Sequence, residues 1–197
     1  MNRFDIAVIG AGMAGASAAC ALAARHSVLL VARESQPGYH STGRSAAMYV
    51  ETYGNAGVRA LTVAGRDFLN RPPAGFAEHP IVTARGALFV GSAAHGLLVR
   101  QMFDDSRALS PSIRLISTQE ALARCPALRA AACEYALLDP AAMDIDVHAL
   151  HQGYLRTARR LGARVFTQAG IDRLDRSGSH WRLRAGGHEF TAAIVVN

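Results

Sequence analysis

The chain has 197 residues, 50% of them hydrophobic, and a formal net charge of +6, enough for one domain or one and a half around a sizeable core. All 21 of its basic residues are arginine and only Arg159 and Arg160 are adjacent. No basic stripe with interleaved aromatics exists to suit a nucleic acid, and no apolar run approaches the roughly 20 residues that span a bilayer.

Residues 4–9 form a short apolar run that leads directly into Gly10-Ala11-Gly12-Met13-Ala14-Gly15. An alanine-rich segment (16–25) and a second apolar run (28–31) follow. The order is strand, glycine turn, helix, strand, which is the context that makes GxGxxG a dinucleotide-binding motif. Gly10 lets the chain turn off the strand, Gly12 allows a pyrophosphate to approach the backbone, and Gly15 allows close helix–strand packing. The free N–H groups and the positive end of the helix dipole then face the phosphates. The motif expects an acidic residue at the end of the second strand for a ribose hydroxyl. Ala32 holds that position here, and Glu34 lies two residues on, on the same face of a continuing strand. Either Glu34 substitutes or the ribose contact is lost. Arg33 suits a 2′-phosphate and so an NADP alternative, although surface arginines after strands are equally common.

Residues 33–43 are polar and turn-rich. Residues 56–69 read as an amphipathic helix with Val58, Leu61, Ala64, Phe68 and Leu69 on one face, stopped by Arg71-Pro72-Pro73. Strands are expected at 81–83 and 87–90, and a helix at 95–108. Ser117-Thr118-Gln119-Glu120 has the capping-box pattern of a short helix. Asp146 caps a long helix through 161 with Val147, Leu150, Tyr154, Leu155 and Ala158 on its face, and Gly162 ends it. Strands follow at 165–167, 171–174, 181–184 and 189–196. Cys20, Cys125 and Cys133 have no metal or CxxC spacing and read as reduced thiols of a cytoplasmic protein. The start runs straight into a strand without a signal peptide, and the end on the apolar strand 194–197 reads as a truncation. No metal site is expected. His148 and His151 are three apart on a helix without a third ligand, and His26, His79, His95, His180 and His188 have no triad or metal spacing; most of these are expected at the surface. Asp144 and Asp146 read as helix-start residues.

The stretch Gln36-Pro37-Gly38-Tyr39-His40-Ser41-Thr42-Gly43-Arg44-Ser45-Ala46-Ala47, with the glycine turn, resembles the D-amino-acid oxidase superfamily of FAD enzymes, and most closely its D-arginine dehydrogenase-like members. The resemblance continues through residues 71–76 and 144–154, and covers about the N-terminal half of such an enzyme. It implies an α/β fold: a Rossmann-like FAD-binding domain with part of an α+β substrate domain. The expected segments are an FAD-binding core and flavin loop (1–80), a partial substrate or cap domain (81–142) and a return to the FAD-binding domain (143–197). It implies FAD as cofactor, held by Gly10, Gly12, Met13, Ala14 and Gly15, by positions Ala32 and Arg33, and by the loop Ser41, Thr42, Gly43, Arg44, Ser45, Ala46, Ala47 and Met48. Gly170 or Ile171 falls where the family makes a backbone contact to adenine. Tyr53 matches a substrate-loop tyrosine, and Ala87 lies where relatives preferring cationic substrates carry a carboxylate. Met48 stands where the close subgroup has histidine.

The implied reaction of the full-length enzyme is oxidation of a D-amino acid, with hydride leaving Cα for the flavin and the imino acid hydrolysing to a keto acid and ammonia. Its partners are the amino-acid substrate and an electron acceptor. No catalytic residue is assigned. Two alternatives stand beside this reading: a non-catalytic fragment that needs a partner or a missing half, and an NAD(P)-binding protein.

Overall fold

In the computed structural model, which describes residues 2–197, the chain forms a mixed α/β structure of two compact units. The first comprises the described residues up to Ala46, with Pro73–His79 and Asp146–Asn197; the second comprises Ala47–Pro72 and Pro80–Ile145.

The first unit begins with β1 (Arg3–Ile9), α1 (Met13–Ala23) and β2 (Val28–Val31), and resumes with α6 (Val147–Arg160), β9 (Arg164–Phe166), β10 (Ile171–Ser177), β11 (His180–Ala185) and β12 (His188–Val196). Its sheet has six strands in the order β10-β11-β12-β1-β2-β9. Strands β12, β1, β2 and β9 are parallel, and β10–β12 form an antiparallel meander at one side. Every residue of β2 is buried, the pattern of a strand covered on both faces. Val28 and Leu30 pack with Ile6, Val8 and the alanines of α1, against Leu155 and Ala158 of α6. Leu29 and Val31 face the other way, toward Phe4, Leu183 and Phe190. Each fully buried leucine contributes on the order of 2 kcal/mol. Small side chains at Ala16 and Ala19 let α1 lie close on the sheet.

The second unit contains β3 (Met48–Tyr49), α2 (Ala56–Ala64), α3 (Arg66–Asn70), β4 (Val82–Ala84), β5 (Ala87–Gly91), α4 (Gly96–Ser106), β6 (Arg114–Ile116), α5 (Thr118–Arg124), β7 (Tyr135–Asp139) and β8 (Met143–Ile145). It has two small sheets, ordered β3-β8-β4 and β5-β7-β6. The centre is β7: Leu137 packs with Val99 and Ile113, while Ala136 packs with Ala121 and Cys133.

Residues 47–72 fall in the second compact unit, where β3 pairs with β8. Several expectations need correction. The expected helix over 56–69 is two helices, because the Gly65 N–H is shared between the Leu61 and Thr62 carbonyls and tightens the turn. Its expected core face is open: Val58 and Leu61 are exposed. Asp144 does not start a helix; it sits in β8 and pairs with Arg85 at 2.5 Å, and only Asp146 caps α6, accepting from the Ala149 N–H at 2.8 Å. Among the described residues no helix is long and apolar enough to cross a membrane.

Candidate functional site

The site in the first unit is built mostly from backbone. Gly10 has φ +97°, in the left-handed region that glycine adopts without strain. A Cβ on Gly15 would lie 1.8 Å from the Gly10 carbonyl oxygen, so the first turn of α1 rests directly on the turn that precedes it. No side chain of its own N-cap residue, Gly12, caps α1, and no acidic residue occupies its first turn. The Met13 N–H is met from elsewhere: Thr42 Oγ1 accepts it at 2.9 Å. Thr42 opens a single 3-10 turn, Thr42–Arg44, which the Gly43 N–H closes back on the Gly38 carbonyl at 2.7 Å. Arg44 lies over the Tyr39 ring at 5.2 Å.

Around this turn lies a cavity of about 260 Å³, lined by Gly10, Ala11, Gly12, Ala32, Arg33, Glu34 and the loop from Gln36 to Thr42. Of the expected contacts, Gly10, Gly12, Ala32, Arg33, Ser41 and Thr42 therefore line one space. Gly43, Arg44 and Ser45 line a neighbouring one with Thr42, Val147, His148 and His151. Gly170 and Ile171 line a third with Ile9, Gly10, Val31 and Arg33. Met13, Ala14 and Gly15 form the first turn of α1. Ala46 is exposed, and Ala47 and Met48 belong to the second unit, Met48 opposite Asp144 in the β3–β8 pair.

The chain around Ala32 is held by bonds from beyond the strand. Strand β2 ends at Val31, yet the Ala32 N–H donates to the Phe166 carbonyl, Ala169 N–H to Ala32 and Gln168 N–H to Glu34. These bonds hold the backbone of 32–34 in place, with Gln168 at φ +53° to reach it. Glu34 consequently shares the cavity with Ala32, and its carboxylate meets His40 Nε2 at 3.0 Å. Arg33 lines the same cavity, its Nε 3.7 Å from the Glu34 carboxylate, and its stem lies 3.3 Å from where a Gly170 Cβ would be. A glycine cradle, a helix start with no acidic residue in its first turn, hydroxyls from Ser41 and Thr42 and a carboxylate at the strand end fit the pyrophosphate and ribose of a dinucleotide.

The largest departure from expectation is His151. It is 3% exposed, and its Nε2 lies 2.9 Å from the Ala11 carbonyl oxygen, inside the glycine turn. The helical spacing Val147, Leu150, His151, Tyr154, Leu155, Ala158 already places it on the buried face of α6. Among the described residues no group of three or more His, Cys, Asp or Glu is placed to hold a metal ion.

In the second unit Tyr53 is 66% exposed, with its N–H bonded to the Val50 carbonyl at 3.3 Å. Ala87 pairs with Asp139 across β5 and β7. Asp139 is fully buried and its carboxylate accepts from Thr52 Oγ1 at 3.0 Å, Ser110 Oγ at 2.9 Å and the Ala141 N–H at 3.1 Å. Nearby in sequence, Tyr49 and Arg66 both bond to Glu51. The Arg66 guanidinium holds the Glu51 carboxyl below its ordinary range. Burial, then the bond to Glu51, pushes the Tyr49 phenol up to about 12.

The fold is shared with known proteins. Glycine oxidase from Geobacillus kaustophilus superposes with a TM-score of 0.84 at 19% identity, covering 99% of this chain and 55% of the other. L-proline dehydrogenase from P. horikoshii gives 0.82 at 17% identity, covering 100% and 52%. L-alpha-glycerophosphate oxidase from Mycoplasma pneumoniae, with FAD bound, gives 0.80 at 13% identity, covering 99% and 53%. At these identities the likeness establishes the fold, and the chain spans about half the length of the solved structures it matches. The sequence model described as DAO, FAD dependent oxidoreductase, matches residues 5–197, so the chain belongs to the DAO family of FAD-dependent oxidoreductases, and its cofactor is FAD.

Proposed function

We propose that the chain is the N-terminal, FAD-holding part of an oxidoreductase that oxidises D-amino acids. The observation that carries the reading is the cavity in which the glycine turn, Glu34 and the Ser41–Thr42 hydroxyls converge. In this reading Gly12, Met13 and the start of α1 receive the pyrophosphate, with Ser41, Thr42 and Arg44 beside it. Glu34 takes the ribose contact that Ala32 cannot make. Gly170 and Ile171 flank the adenine, and the loop through Ala46, Ala47 and Met48 leads toward the ring. When bound, FAD supplies acceptance of a hydride from the substrate Cα, which leaves an imino acid that hydrolyses to a keto acid and ammonia.

The preference for the D-series rests on the resemblance of residues 36–47 to D-arginine dehydrogenase-like proteins. The resemblance does not extend to a strongly cationic substrate. Ala87 carries no charge, and the carboxylates of β7 and β8 are committed: Asp139 to three donors and Asp144 to Arg85. The second unit, with Tyr53, is the proposed substrate side. Because the chain spans about half of its structural relatives, turnover is proposed for the protein completed by the other half. A non-catalytic role for this stretch alone is the competing outcome.

The test is to add FAD to the purified chain, remove free flavin by desalting, and record the visible spectrum of native protein and of Glu34→Ala. Retained flavin bands in the native protein, with affinity lower by about tenfold in the variant, are expected for loss of a charged hydrogen bond. No retained flavin would sink the reading of the cavity. Retention with no D-amino-acid turnover on adding the missing half in trans would leave a binding fragment.

A further inference from the structure

We infer that His151 is a positioning residue for the dinucleotide: it fixes the peptide plane of the glycine turn and the seat of the loop that closes over it. The inference rests on the reading of that turn as the pyrophosphate site.

His151 is buried, and its Nε2 lies 2.9 Å from the Ala11 carbonyl oxygen. A carbonyl only accepts, so Nε2 must carry the proton. The peptide joining Ala11 to Gly12 is planar and trans, so its C=O and N–H point in opposite directions. Turning the Ala11 carbonyl onto α6 therefore aims the Gly12 N–H away from α6. Glycine has no side chain to resist a flip of that plane, and Gly10 and Gly12 flank Ala11 on both sides. Without the imidazole, the Ala11 carbonyl loses the bond that holds that orientation.

The other edge of the ring serves the loop. A Cβ on Gly38 would come within 2.9 Å of His151 Cε1 and 3.2 Å of Nδ1, so the loop backbone rests on the imidazole edge. The same Gly38 accepts the bond that closes the turn carrying Thr42, whose hydroxyl meets the Met13 N–H. One buried side chain thus sets two segments that line the cavity, and the aliphatic residues at the other buried positions of α6 could not make the bond to Ala11.

Three measurements test this. In the native chain, with or without FAD, the nitrogen resonances of His151 report its tautomer. A protonated Nε2 is expected, and an Nδ1-protonated neutral ring would overturn the inference. His151→Met fills the volume but cannot donate, whereas His151→Gln retains a donor near the Nε2 position. In the first variant FAD should bind about tenfold more weakly, and the amides of 10–15 should exchange about tenfold faster than in the native chain, relative to those of β12. In the second both should return to within about threefold. Native FAD affinity and native amide exchange in His151→Met would overturn the inference. If the native chain itself fails to hold FAD, the flavin reading fails, while the tautomer and the amide exchange still decide whether His151 holds the turn.

Discussion

The two units of this chain solve the same problem by opposite means. In the first, the centre of the site is a glycine turn with no room for a Cβ at Gly15, and the support is apolar: β2 is buried throughout and two helices cover one face of the sheet. In the second, small three-stranded sheets are held by committed polar groups, a buried Asp139 with three donors and the Tyr49–Glu51–Arg66 cluster. The first unit should therefore be vulnerable to added atoms, and the second to removed partners.

Gly15→Ala gives the largest expected effect. Its Cβ would meet backbone, the Gly10 carbonyl oxygen at 1.8 Å, where no rotamer change gives relief. Displacing the turn costs about 3 kcal/mol or more. FAD affinity, followed by flavin fluorescence, should fall by about 100-fold. Native affinity in this variant would break the comparison, because the turn would then tolerate what its geometry forbids.

Asp139→Ala tests the other side and should cost less. It strands the Thr52 and Ser110 hydroxyls, both buried, together with the Ala141 N–H. A loss of about 2 to 3 kcal/mol in denaturant unfolding is expected, with Asp139→Asn milder because one acceptor oxygen survives. Equal stability of Asp139→Ala and the native chain would mean that the polar network is dispensable and that the second unit, like the first, depends on its apolar contacts.

The contrast also explains what could be read from the sequence. The glycine turn was legible because backbone geometry restricts which residues fit: Gly10 at positive φ and Gly15 against backbone admit little else. The six-stranded sheet followed from apolar runs bounded by turns. The second unit was far less legible. Strand β7 is a five-residue run without alternation that ends at Asp139-Pro140, and its pairing with distant β5 and β6 leaves no local signal. Strand β3 is two residues long and exists only because β8 pairs with it. The stripe on α2 showed periodicity but not what it would meet, and Val58 and Leu61 are exposed. His151 is the instructive case in the site. Its spacing puts it on the buried face of α6, but nothing local identifies its partner, a carbonyl 140 positions earlier in the chain. Likewise, Glu34 reaches the cavity because the Gln168 N–H donates to its carbonyl and the neighbouring Ala32 N–H donates to the Phe166 carbonyl, tertiary contacts that the motif spacing does not encode.

The smallest expected effect is the pH dependence of the second unit. Glu51 is held below the ordinary carboxylate range first by its bond to Arg66, so its contribution is present above the unfolded value and is lost as pH falls through the lower, folded one. Tyr49 moves the other way. With its phenol raised by burial from 10.0 to about 12, its contribution is full below about pH 10 and disappears as pH rises through about 12. Thermal unfolding followed across pH should therefore show a shallow acid limb and a separate alkaline limb. Arg66→Gln should flatten the acid limb while keeping the alkaline one and moving it to higher pH, since burial leads the Tyr49 shift and Arg66 opposes it. The half-exposed Arg66 side chain keeps the acid limb shallow, because water and salt screen the pair. Identical acid limbs in the native and variant chains would remove the Glu51–Arg66 pair from the interactions that hold this unit, and would leave Asp139 as the polar group on which the contrast with the first unit depends.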